Sequence, residues 1–253
     1  IINQDDSFGL EMARDITART FFYGLAGDYD FKGKVIENNI TGLSIEIDGF
    51  EMTSRLIGEF NAYNLLVVYS VAKSLGEESL TILTILSNLK APEGRFEYII
   101  SPSNVTAVID YAHTPDALEN VLKTLKDLKS DKEKIFTVFG CGGDRDKGKR
   151  SMMGEISSLY SDQVIITSDN PRSEKPIDII NDIISGIPKT QASKVLSIQE
   201  RKEAIKVACE MADSGDIILI AGKGHEKFQI IGKQKFHFDD LETTIEIFKQ
   251  IQE

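Results

Sequence analysis

From residue 95 onward, short apolar runs alternate with amphipathic stretches. Strands are predicted at 95–100, 105–110, 135–140, 163–168, 194–197 and 216–221, and helices at 115–128, 151–160, 177–186, 200–213 and 240–251. Runs such as Ile135-Phe136-Thr137-Val138-Phe139 and Ile217-Ile218-Leu219-Ile220 lack the in–out alternation of a half-solvated strand. They suit strands covered on both faces, as in a parallel sheet. Parallel neighbours must be joined by crossovers, which the intervening helices supply. The pattern therefore predicts an α/β fold with a Rossmann-like, mostly parallel sheet, whose ligands bind at the carboxyl ends of its strands.

The first 92 residues read differently. A helix is predicted over 5–18, opened by Asp5 or Asp6, followed by β-type runs at 20–25, 34–37, 43–47 and 51–57. Asp48-Gly49 between two alternating runs is a hairpin signal. Helices are predicted at 61–75, with Leu65, Val68, Ala72 and Leu75 on one face, and at 79–89. The chain opens on Ile1-Ile2-Asn3 without an initiator Met, and reads as one entered in mid-domain. Two domains are expected, 1–92 and 93–253.

Charge narrows the partners. Against 29 Lys+Arg stand 40 Asp+Glu, a net charge of −11. A broad nucleic-acid or anionic-membrane surface would need clustered cations instead. No apolar run approaches the roughly 20 residues that span a bilayer. Cys141 and Cys209 are too few for a disulfide framework, and read as reduced thiols.

Four strand ends carry unusual residues. In Asp110-Tyr111-Ala112-His113-Thr114-Pro115, Thr114 can cap a helix and Pro115 can open it, which leaves Asp110 and His113 at the crevice. A plain capping turn with a solvated His is the alternative. Gly140-Cys141-Gly142-Gly143-Asp144-Arg145 allows close backbone approach, and Arg145, Lys147, Lys149 and Arg150 follow as a local basic cluster that calls for an anion. It lacks the spacing of a Walker loop. Asp169-Asn170-Pro171-Arg172 sets an amide beside a guanidinium, and a guanidinium can grip a carboxylate with two hydrogen bonds. Gly222-Lys223-Gly224-His225-Glu226 offers a tight loop whose carboxylate suits an ammonium group. Together Arg145, Asn170, Arg172 and Glu226 have the chemistry to hold a zwitterionic amino acid. No GxGxxG follows the first strand, which disfavours a dinucleotide-dependent oxidoreductase.

In this order the motifs resemble those of the Mur ligases. The resemblance rests on Asn3-Gln4-Asp5-Asp6, the stretch from Gly58 to Asn64, Gly94-Arg95-Phe96-Glu97, Asp110 to Pro115, Gly140 to Arg150, Asp169 to Arg172 and Gly222 to Glu226. It implies that residues 1–92 are the end of a P-loop-type ATPase domain and 93–253 an amino-acid-binding domain. The implied reaction is ATP-dependent amide ligation through an acyl phosphate, with Mg²⁺. The implied acceptor is a UDP-N-acetylmuramoyl-dipeptide, and the implied amino acid is meso-diaminopimelate or a close isostere. By the same resemblance Arg145, Asp169, Asn170, Pro171, Arg172, Gly222 and Glu226 contact the amino acid, with Arg172 and Asn170 on its distal carboxylate and Glu226 on its distal ammonium. Asn61, Asn64, Arg95 and Asp110 contact the nucleotide, and His113 lies near the phosphates as the catalytic candidate. No residue of this chain is assigned to the metal, whose ligands, like the phosphate loop, are expected upstream. A cytoplasmic monomer is implied, inactive as this chain alone. A non-catalytic amino-acid-binding or regulatory module is the alternative.

Overall fold

The computed structural model describes residues 1–251; residues 252 and 253, the end of the domain expected over 93–253, lie outside them. The chain divides into two compact units, Ile1–Ala91 and Pro92–Glu253.

In the first unit, strands β1 (Ile2–Asn3), β2 (Phe22–Gly24), β3 (Phe31–Asn39), β4 (Gly42–Ile47) and β5 (Phe50–Ser54) form one sheet in chain order. The first three are parallel, and β3, β4 and β5 form an antiparallel meander. The predicted hairpin is present, with Ile47 opposite Phe50. Asp48 and Gly49 both take positive φ, 50° and 83°, the handedness that a two-residue turn between right-twisted strands requires.

Two expectations fail here. The helix predicted over 5–18 shrinks to α1 (Gly9–Ala13). Asp5 caps no helix, because its carboxylate accepts hydrogen bonds from the backbone N–H of Leu25 (2.6 Å) and Ala26 (3.2 Å) and the hydroxyls of Tyr29 (2.7 Å) and Tyr63 (3.0 Å). The helix near 61–75 exists as α2 (Glu59–Ser74), but only half of the expected face is buried, Leu65 in the core and Ala72 packed against it. Ala62, Leu65, Leu66 and Tyr69 enter the core with Ile45, Ile47 and Leu83 of β4 and α3 (Ser79–Ser87). Val68 and Leu75 remain exposed. With apolar residues almost all around α2, periodicity alone could not choose the face.

The second unit has a six-stranded sheet. Its strands are β6 (Glu97–Ile100), β7 (Thr106–Asp110), β8 (Ile135–Phe139), β9 (Gln163–Ile166), β10 (Val195–Ser197) and β11 (Ile217–Ala221). The spatial order is β10-β9-β8-β11-β7-β6, all parallel except the edge strand β6. Every residue of β7, β8 and β11 is buried, as the continuous apolar runs require. Helices α7 (Arg201–Met211) and α8 (Asp240–Gln250) cover one face through Ala204, Ile205, Ala208, Ile247 and Phe248. Helices α4 (Pro115–Leu128), α5 (Gly148–Tyr160) and α6 (Pro176–Ile184) pack in succession. Thr114 caps α4 by accepting from Ala117 N–H (3.3 Å), and Pro115 follows at the first helical position.

Neither the short 3₁₀ helix Lys189–Lys194 nor the hairpin of β12 (Phe228–Ile231) and β13 (Gln234–His237), whose turn is Gly232-Lys233, was foreseen.

Candidate functional site

Register brings the motifs together. Ala221 of β11 pairs with Asp110 of β7 on one side and Phe139 of β8 on the other, and Phe139 pairs with Ile166 of β9. The four strands therefore end nearly in one row, and the loops that follow emerge side by side. β11, last of the four in sequence, inserts between β7 and β8 and places Gly222–Glu226 at the centre.

On one side of that centre, the loops after β8 and β9 are tied together. Gly143 N–H donates to Asn170 O (2.9 Å), and Arg172 Nη1 donates to Gly143 O (2.8 Å). A Cβ on Gly143 would overlap the Pro171 carbonyl, so only glycine allows this approach. Arg172 itself is left-handed, with φ 52°. Its N–H donates to Ile230 O (3.1 Å) and its carbonyl accepts from Gly232 N–H (2.8 Å), so the unforeseen hairpin holds the loop in this shape. Nε and Nη2 of Arg172 have no protein acceptor among the described residues. Arg145 is exposed, with Nη1 on Asp144 O (3.2 Å).

The basic cluster is smaller than the sequence implies. Arg150 is fully buried and donates to Glu174 (2.8 and 3.0 Å), Asp182 (2.8 Å) and Gly142 O (3.3 Å). Lys147 also pairs with Glu174 (3.3 Å), and Lys149 donates to the His113 carbonyl (2.7 Å). Arg150 thus shapes the loop from inside. The bond from Arg150 holds the Glu174 carboxyl down at about 2.

Two acidic groups lie on the loops after β9 and β11. Asp169 is buried, and its carboxylate accepts no hydrogen bond among the described residues. Burial pushes its carboxyl up, against the opposing pull of Arg201 and Lys223. Gly222, at φ 112°, lies against it; a Cβ there would come within 2.9 Å of Asp169 Oδ2. Glu226 Oε2 accepts from Asn170 Nδ2 (2.7 Å).

Sequence reasoning missed three supports. Lys223, in the Gly222–Glu226 loop, is completely buried and donates to Asn170, Glu226 and the Phe228 carbonyl. Beneath the strand ends, Arg201 and Asp240 form a fully buried two-bond pair (2.7 and 2.8 Å). The Gly232-Lys233 turn between alternating runs was a readable hairpin signal. Arg201 and Asp240, 39 residues apart, had none.

On the other side of Gly222–Glu226, the end of β7 gathers Arg95, Asp110, Tyr111, His113 and His225. The Arg95 guanidinium lies over the Tyr111 ring (4.7 Å), which also meets the rings of His113 (4.5 Å) and His225 (5.1 Å). Asp110 is turned inward, accepting from Phe96 N–H (2.8 Å) and Ala112 N–H (2.7 Å). Burial raises its carboxyl pKa despite those bonds. His113 is exposed, its Nδ1 2.9 Å from the Tyr111 carbonyl. Cys141 is buried, its thiol pushed up to about 12 by desolvation, and has no nucleophile's environment. In the first unit, Asn61 Nδ2 donates to Ile57 O (2.8 Å), while Asn64 Nδ2 donates to Asn61 Oδ1 (3.1 Å) on the first turns of α2.

Residues 94–224 match the family model described as Mur ligase, glutamate ligase domain, and residues 1–72 match the Mur ligase middle domain. The chain belongs to the Mur ligase family. A UDP-N-acetylmuramoyl-L-alanyl-D-glutamate–2,6-diaminopimelate ligase of Cytophaga hutchinsonii is 50% identical over 240 residues, covering 95% of this chain and 49% of that protein. Its counterpart in Parabacteroides distasonis is 49% identical over 248 residues, covering 98% and 51%. A solved structure of a ligase of the same name superposes with a TM-score of 0.72 at 34% identity, covering 99% of this chain and 53% of that one. A folylpolyglutamate synthase of Thermotoga maritima shares the fold at 21% identity, TM-score 0.64, covering 84% and 47%. The chain spans about half the length of the curated Mur ligases it matches.

Proposed function

We propose that the loops after β8, β9 and β11 bind meso-diaminopimelate, and that the whole protein joins it to UDP-N-acetylmuramoyl-L-alanyl-D-glutamate at the cost of ATP. The observation that carries this reading is the pairing of opposite needs in one place. The loops after β9 and β11 carry a buried Asp169 carboxyl that accepts no hydrogen bond, the Glu226 carboxylate and Arg172, whose Nε and Nη2 are unengaged. Such a site favours a molecule presenting an ammonium and a carboxylate at the same end. Lysine offers only the ammonium there. Arg172 takes the distal carboxylate, Asp169 and Glu226 take the ammonium, and Arg145 adds a cation at the exposed rim. Gly222 leaves room beside Asp169.

The 1–92 and 93–253 assignment, ATPase tail and amino-acid-binding domain, is part of this proposal. So are the nucleotide contacts of Asn61, Asn64 and Arg95, the phosphate-side role of His113, and a cytoplasmic monomer. Asp110 acts there by shaping the loop, since its oxygens hold backbone amides. Among the described residues no group of three His, Cys, Asp or Glu could hold a metal ion. No described helix is long and apolar enough to cross a membrane. This chain alone is proposed to bind the amino acid without turnover.

Calorimetric competition among meso-diaminopimelate, its sulfur isostere lanthionine and L-lysine tests the reading. Binding of the first two with rejection of lysine is expected; equal binding of lysine would sink it.

A further inference from the structure

A lysine side chain buried to zero exposure at the rim of a binding site is costly unless every proton of its ammonium finds an acceptor. Lys223 meets that condition with three acceptors. Its Nζ donates to the Phe228 carbonyl (2.6 Å), to Asn170 Oδ1 (3.3 Å) and to Glu226 Oε2 (3.4 Å). Two of these are side chains of the proposed amino-acid site, and the third belongs to the first strand of the β12–β13 hairpin.

This geometry decides how Asn170 points. An ammonium and a backbone N–H can only donate. Lys223 and Ile230 N–H (2.8 Å) both approach the same end of the Asn170 carboxamide, so that end is the oxygen. The amide nitrogen is thereby turned to Glu226, to which it donates at 2.7 Å. One carboxylate oxygen of Glu226 is then fixed by two donors, and one Nδ2 proton of Asn170 remains for a ligand. The hairpin closes the ring, since Gln229 Nε2 also donates to the Asp169 carbonyl (2.6 Å).

We infer that Lys223 is a positioning residue. It sets the orientation of the Asn170 amide, balances the charge of Glu226 and seats the hairpin, so that the acceptor for the distal ammonium is formed before the amino acid arrives. The inference rests on the proposed diaminopimelate site. Pre-organisation of this kind gains affinity because the ligand need not order the groups that hold it.

The test is titration of the 253-residue chain with meso-diaminopimelate. Lys223→Met should weaken binding by about tenfold or more, the scale of a lost hydrogen bond to a charged group. Because Lys223 acts through Asn170, the double variant Lys223→Met/Asn170→Ala should lose at least about threefold less than the product of the two single losses. Unchanged affinity in Lys223→Met, or losses that simply multiply, would overturn the inference while leaving the substrate reading intact. A wild-type chain that fails to bind diaminopimelate would overturn the substrate reading. The clamp itself is then judged without ligand or variant. The Asn170 Nδ2 protons should exchange with solvent more slowly than those of exposed Asn64, and equal rates would overturn it.

Discussion

Arg172 and Glu174 sit two residues apart and do different work. Arg172 has one guanidinium nitrogen anchored on Gly143 and two free, so reversing its charge should turn attraction for a distal carboxylate into repulsion. Arg172→Glu is expected to abolish detectable diaminopimelate binding in a titration, with the unfolding midpoint little changed because the side chain lies outside the core. Glu174 instead holds the loop. Its carboxyl is depressed from an ordinary 4.5 to about 2 by Arg150, so its contribution is complete above about pH 4.5. That contribution is lost as pH falls toward 2. The Asp144 N–H donates to Glu174 (2.7 Å), and its protection factor, the intrinsic exchange rate at each pH divided by the observed rate, should fall over that window. A protection factor unchanged over that window would contradict the assignment. The basic cluster shows the limit of reading charge from sequence. Arg145 and Arg150 are identical in one-letter code, yet one is exposed and the other is internally neutralised.

Helices and strands of the second unit were legible because each carries one dominant signal. α4 has a capping Thr114, Pro115 at its first position and a buried stripe of Leu118, Leu122 and Leu125, and its bounds match the expected 115–128. α2 and α1 were misread for opposite reasons. In α2 apolar residues occur on several faces, and packing against β4 and α3 selects one. In α1 a carboxylate that could cap a helix is drawn to Tyr29, Tyr63 and two backbone amides up to 58 residues away. The β12–β13 hairpin is an element whose importance lies in its edge. Ile230→Pro would remove the N–H that donates to Asn170 Oδ1 (2.8 Å). Diaminopimelate binding should fall by about tenfold or more. The six-stranded sheet, which does not include the hairpin, should unfold at nearly the wild-type temperature. A calorimetric scan showing collapse of the whole unit would refute that separation.

All residues proposed to bind the amino acid, from Arg145 to Glu226, belong to the unit Pro92–Glu253. Residues 92–253 expressed alone should therefore bind diaminopimelate with the affinity of the whole chain, and a loss of about tenfold or more in titration would count against that. The α/β class, most element boundaries of this unit and the motif residues were all readable along the chain. They depend on local chemistry: apolar runs, caps, glycines and the order of residues at strand ends. The order of the strands beneath those loops was not readable, because β11 inserts between β7 and β8 and brings residues more than 80 positions apart into register. The inward turn of Lys223, the neutralisation of Arg150 and the buried Arg201–Asp240 pair follow from that arrangement. A charge is placed by the acceptors that surround it, and those acceptors are assembled only when the sheet closes.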